Sequence, residues 1–287
     1  MKRFQRVNLY NSSNWDEIEK NSEYKFQDIK SSIERSGGSQ DCSFQVHWDI
    51  SYIQAAIYSF FFEIPSSSIP LAYFIDSGIE LSKGFFFGKW RERHICDGDS
   101  KPLTKEQARL LPWNGAFREG TFCCLLKNDK TSLVDFSKWV GRDQLNCLSS
   151  NPFDISNPHT YVPHFSPLFF VVAQFWCGCS IDDYSDEIEM VKKSKSASAK
   201  SLLKIWESVC EKDTDGFEKK IIQEVERKMN KAAKTKDPRI AFAPVTIVSA
   251  EATWMWNLAL RSGMEMPILS EEIMDRIITP QALGLEK

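Results

Sequence analysis

A chain of 287 residues is long enough for one large domain or two small ones. Its 36 Lys plus Arg against 39 Asp plus Glu leave a net charge of −3, which excludes a generally basic nucleic-acid binder. Hydrophobic residues at 42% and charged residues at 26% exclude wholesale disorder, and 13 Gly with 12 Pro are too few for a fibrous or turn-rich all-β chain.

The sequence starts Met1-Lys2-Arg3-Phe4-Gln5-Arg6-Val7-Asn8, positive but with no apolar stretch behind it, so it does not read as an export signal. The longest apolar run, Phe165 to Cys179, is broken by Ser166, Pro167 and Gln174 and falls short of the roughly 20 residues a bilayer requires. The expected location is the cytoplasm. The eight cysteines include the adjacent pair Cys123-Cys124 and read as reduced core thiols, not as a disulfide framework.

In chain order, Ser13 caps a first predicted helix from Asn14 to Arg35, and Gly37-Gly38 ends it. His47 to Phe62 repeats apolar residues at spacings of three and four, so a buried helix is predicted up to Pro65. Ser66-Ser67-Ser68-Ile69-Pro70 opens another, carried by Leu71, Phe74, Ile75, Ile79 and Leu81 towards Phe87. Thr104 with Gln107 resembles a capping box. Trp113 to Lys127 and Leu133 to Trp139 suit a helical hairpin around Asn128-Asp129-Lys130.

Pro152, Pro158, Pro163 and Pro167 mark residues 149–167 as the connection between an N-terminal part, 1–148, and a C-terminal part, 168–287. The two are expected to pack as one continuous domain. The apolar stretch from Tyr161 to Gly178 predicts a central helix starting after Pro167. Further helices are predicted over Ile181 to Lys193, Ala199 to Glu211 and Asp213 to Lys231, and Ala241 to Val248 reads as extended. Ser249 caps Glu251 to Ser262, Gly263 ends that helix, and Ser270 with Ile273 to Ile278 forms a last short one. The class is all-α: about ten helices in stacked antiparallel hairpins, an irregular, solenoid-like bundle without a regular sequence repeat.

No phosphate loop, dinucleotide fingerprint, Gly-x-Ser-x-Gly elbow or His-Glu-x-x-His helix occurs. Cys177-Gly178-Cys179 lacks the C-x-x-C spacing of redox and zinc sites and reads as small residues at a helix end. A metal-dependent hydrolase would need His47, His159 or His164 to converge with carboxylates. Trp90-Arg91-Glu92-Arg93-His94 and Lys192-Lys193-Ser194-Lys195 read as solvated helix ends. No catalytic, cofactor-binding or metal-binding residue is expected. Asp182-Asp183-Tyr184-Ser185-Asp186-Glu187-Ile188-Glu189 places five carboxylates in eight residues. That is what the positive end of a helix attracts, and it is also a patch that would steer a basic partner.

Lys200-Ser201-Leu202-Leu203-Lys204-Ile205-Trp206-Glu207-Ser208-Val209 precedes Asp213 and Asp215-Gly216-Phe217. Ile221, Val225, Ile247, Ala250-Glu251-Ala252-Thr253, Leu258-Ala259 and Gly263 follow. With Gly115-Ala116-Phe117 through Trp139, this pattern resembles the immunity protein 49 family of bacterial polymorphic-toxin systems, over residues 113–267. The family's acidic residue near the late Thr is matched by Glu251, one position further away. The resemblance implies a helical, non-enzymatic protein that neutralises a toxin, encoded nearby, by stoichiometric binding. The alternative is a helical scaffold or regulator of another protein. For partner contacts, charge and aromatic character single out Asp182, Asp183, Asp186, Glu187 and Trp90.

Overall fold

The computed structural model describes residues 75–80, 82–83, 113–139, 166–234 and 248–286. Among the described residues every regular element is helical and there is no strand. Residues 75–80 and 82–83 are helical. After them come α1 (Trp113–Lys127), α2 (Lys130–Trp139), α3 (Ser166–Cys177), a 3₁₀ turn (Ile181–Tyr184), α4 (Ser185–Lys193), α5 (Ala197–Glu211), α6 (Thr214–Ala233), α7 (Ala250–Arg261) and α8 (Glu271–Met274). The helices predicted over 14–35 and 47–62, the cap at Thr104, the connection over 149–165 and the extended stretch 241–247 lie outside the described residues.

Short-range signals set most helix ends. Asn128 takes φ 62, a left-handed conformation that Asn tolerates, and turns the chain out of α1. Asp129 then caps α2, accepting from the Ser132 N–H at 3.0 Å and its hydroxyl at 2.6 Å. That cap starts α2 at Lys130, three residues ahead of the predicted Leu133. Gly178 at φ 84 closes α3, donating to the Phe175 carbonyl, while Cys179 donates to Gln174. Ser196 caps α5 through Ala199 N–H, and Lys212 at φ 52 ends it.

Asp213 is already the cap of α6, its carboxylate accepting from Gly216 N–H at 2.9 Å. A Cβ on Gly216 would stand 1.9 Å from that carboxylate. The Asp-spacer-Gly-Phe pattern is thus one device: Gly makes room for the cap, and Phe217, fully buried, enters the core against Trp256 with ring centroids 6.0 Å apart.

Sequential neighbours pack as α1 on α2, α3 on α4, α4 on α5 and α5 on α6. The two-residue turns after α1 and α5 make these pairs antiparallel hairpins. α7 departs from a one-dimensional stack, because it packs against α1, α5 and α6 together. Its residues from Ala252 to Ala259 are all buried, as are those of α1 from Glu119 to Leu126. α3, the expected central helix, packs against α1, α2, α4, α5 and the 3₁₀ turn, and leaves the edge formed by Gln174, Phe175 and Cys177 partly exposed. Leu126, Phe136, Val172, Leu203, Ile221 and Leu258 belong to one continuous core.

The last predicted helix is shorter than expected, ending at Met274 and not at Ile278. Two of the residues that leave the helix, Arg276 and Ile278, bond through their backbone to α7 and its cap. The Arg276 carbonyl accepts from Ser249 N–H at 2.9 Å. Ile278 N–H donates to the Thr253 hydroxyl at 3.0 Å, and its carbonyl accepts from the Asn257 amide at 2.9 Å. A helical continuation would direct those groups along its own axis and away from α7.

Candidate protein-binding face

The acidic run folds into the 3₁₀ turn and α4, and the helical period decides which carboxylates reach solvent. Tyr184, Ile188 and Val191 are buried at 1%, 7% and 0% exposure and form the inner face. Asp182, Asp183, Asp186 and Glu189 are exposed. Asp183 also accepts from Ser180 N–H at 3.2 Å, which steadies the entry to the turn. Glu189 pairs with Lys192 at 3.2 Å, so the lysines at the end of α4 partly offset the run that precedes them.

Glu187 does not belong to this exposed face. It is 4% exposed, on the same side of α4 as Ile188 and Val191. A count of carboxylates along the chain puts it with its neighbours, and the three- and four-residue spacing from Tyr184 and Val191 moves it inward. Trp90 lies outside the described residues. The structure adds two residues that charge counting misses: Ile181 and Met190 are large apolar side chains exposed at 44% and 39%. Their sequence signal was present, since Met190 sits two residues beyond Ile188 and therefore off its buried stripe.

The face rests on a stiff underside. Tyr184 packs edge-on to Trp206 of α5 at 6.2 Å, and Phe175 of α3 meets the same indole at 5.9 Å with an interplanar angle of 86°. Burial pushes the Tyr184 hydroxyl well above its ordinary range, and the Cys210 and Cys179 thiols add to the effect. Burial, with Glu207 and Glu211 beside it, pushes the Cys210 thiol up to about 12. Cys123 and Cys124 are buried completely and raised well above the usual thiol value by that burial. These three sulfurs are protonated at neutral pH and therefore weak nucleophiles.

Cys177 and Cys179 lie at the end of α3, and Cys179 donates to the Gln174 side-chain oxygen at 3.1 Å. Among the described residues no three of His, Cys, Asp or Glu gather as a metal-binding group. All four histidines, His47, His94, His159 and His164, fall outside those residues. An open polar concavity of about 480 Å³ runs along one side of α6, lined by Gln223, Glu226, Arg227, Asn230, Lys231 and Lys234. No Ser, Thr, Cys or His stands among these lining residues. No helix among the described residues is long and apolar enough to cross a membrane.

The residues that carry the family resemblance sit in the core. Trp206, Phe217, Leu258 and Ala259 are at most 2% exposed. Thr253 and Asn257 tie α7 to the C-terminal segment. Glu251 adds to the field of Glu224 that holds the Arg227 guanidinium above its ordinary value, the direct Glu224 hydrogen bond being the larger cause. Comparison with family models, with curated proteins and with solved structures found no match to this chain.

Proposed function

We propose that this chain is an immunity protein that neutralises a bacterial toxin in the cytoplasm by stoichiometric protein–protein binding, without catalysis. One observation carries the reading. A rigidly seated helix and turn present Asp182, Asp183 and Asp186 to solvent with the apolar Ile181 and Met190 among them. A negative rim around apolar contact points is the form of a surface that steers a basic partner and then excludes water from the contact. The pattern resemblance over residues 113–267 supplies the class of partner, and the raised pKa of Cys123, Cys124 and Cys210 speaks against thiolate chemistry at those three sulfurs.

The test is co-expression with the toxin gene beside it. Rescue of growth, with a one-to-one complex on purification, is the expected result. Both proteins stably made with no rescue would overturn the proposal. Within the complex, changing Asp182, Asp183 and Asp186 together to Lys should slow association about tenfold at low salt and flatten its salt dependence. An unchanged rate and salt slope would reduce the run to a helix start.

A further inference from the structure

Resting on that reading, we infer that Ile268 is the apolar anchor of the surface this chain offers its partner, and that the partner meets it with an apolar socket rimmed by Lys or Arg. Single exposed apolar residues are ordinary on protein surfaces, so exposure alone decides nothing. What sets Ile268 apart is how it is held. Its side chain is 96% exposed, while Pro267 before it and Leu269 after it are both buried.

The loop that carries it is fastened at its start: Met264 N–H donates to the Ala259 carbonyl at 3.2 Å, and the Thr214 hydroxyl donates to the Glu265 carbonyl at 3.1 Å. Pro267 also fixes its own φ. The isoleucine cannot fold back onto the body without withdrawing a buried neighbour on each side. It stands as a preorganised knob, and preorganised apolar side chains at an interface centre carry a disproportionate share of binding.

Charge selects the occupant. Glu265 and Glu271 are exposed on either side of the knob. Asp213 and Asp215, also exposed, flank the Thr214 that holds the loop. An uncharged or acidic partner would have to bury or approach these carboxylates uncompensated, whereas a basic rim pairs with them. One helix links this loop's anchor to the acidic turn. α5 carries Trp206 against Tyr184 in the turn that bears Asp182 and Asp183, and then runs through Lys212 into Asp213 and Thr214.

The experiment uses the full chain and the purified toxin domain that it neutralises in co-expression. Ile268→Ala and Ile268→Asp are compared with the wild type by surface plasmon resonance and thermal melting. Since the side chain stands in water, neither change should move the melting temperature. Ile268→Ala should weaken binding roughly tenfold and Ile268→Asp more, mainly through faster dissociation. Ile268→Asp binding within roughly twofold of the wild type would overturn the inference and leave the toxin-binding proposal standing. A wild-type chain that neither rescues nor binds would overturn both. Sedimentation of the chain alone is the control on the occupant: a dimer that Ile268→Asp converts to monomer would assign the knob to a second copy and overturn the basic partner.

Discussion

Lys212 occupies a left-handed conformation, φ 52, at the junction where α5 ends and Asp213 begins to cap α6. An L side chain in that region costs roughly 1–2 kcal/mol, more than the extra chain entropy a glycine would lose. Lys212→Gly should therefore stabilise the protein by about 0.5–1 kcal/mol, seen as a higher denaturation midpoint at unchanged slope. Asp129 offers a second test at the same scale. Burial alone would raise its carboxyl pKa, but the two Ser132 hydrogen bonds and the Lys83 and Lys127 ammonium groups outweigh it and lower the value. A folded pKa below the unfolded one means stability that is present above about pH 4 and is lost as pH falls through the folded value. Asp129→Asn keeps a competent cap but removes the charge. It should melt lower at pH 7, and the gap to the wild type should close as pH falls below about 4.

At the scale of elements, α7 joins α1, α5 and α6 to the C-terminal segment. Its buried polar side chains reach the irregular segment after α8: Thr253 accepts from Ile278 N–H, and the Asn257 amide donates to the Ile278 carbonyl at 2.9 Å as well as to the Thr253 carbonyl of α7 itself at 2.7 Å. Thr253→Val keeps the shape and orphans one buried N–H, so a loss of about 1–2 kcal/mol is expected in chemical denaturation. A loss under about 0.3 kcal/mol would mean that the C-terminal segment is held by its apolar residues alone. Gly120 has a related role on α1. A Cβ there would stand 2.7 Å from the Ser82 hydroxyl oxygen, so glycine is what lets the helical residues 75–80 and 82–83 approach α1, an approach that the Lys127–Asp76 ion pair also joins.

Across the whole molecule, Arg261 connects parts far apart in sequence. Its Nε donates to the Leu125 carbonyl at 2.7 Å and its Nη2 to the Leu126 carbonyl at 2.8 Å. Its Nη1 pairs with Glu286 at 2.6 Å, and its side chain is 7% exposed. One guanidinium thus satisfies the C-terminal carbonyls of α1, ends α7 and anchors the tail. Arg261→Met should cost about 2–3 kcal/mol, because it removes the side-chain donor of the Leu126 carbonyl and leaves the Leu125 carbonyl with only the long Asn128 N–H contact at 3.4 Å. Glu286→Gln should cost less than about 1 kcal/mol, since that partner is one-third exposed. Equal losses from the two changes would place the energy in the ion pair and not in the carbonyls.

Local chemistry alone determined where most described helices begin and end. Ser196, Asp213, Ser249 and Gly263 punctuate the chain where their side chains or backbone freedom require, because a cap is an interaction between residues three or four apart. The all-α class and the core role of Trp206, Phe217, Leu258 and Ala259 were legible for the same reason, as apolar period is a property of the chain itself. The candidate face was legible in part: the acidic run named Asp182, Asp183 and Asp186, but counting charges along the chain could not turn Glu187 inward. Tertiary structure decided the rest. The chain leaves the helix after Met274 where Arg276 and Ile278 bond to α7 and its cap, Arg261 acts at the end of a helix more than 130 residues away, and Ile268 stands in water because both its neighbours are held down. Each of these depends on which distant surface arrives beside a residue, and that is set by the packing of the whole chain and not by spacing along it.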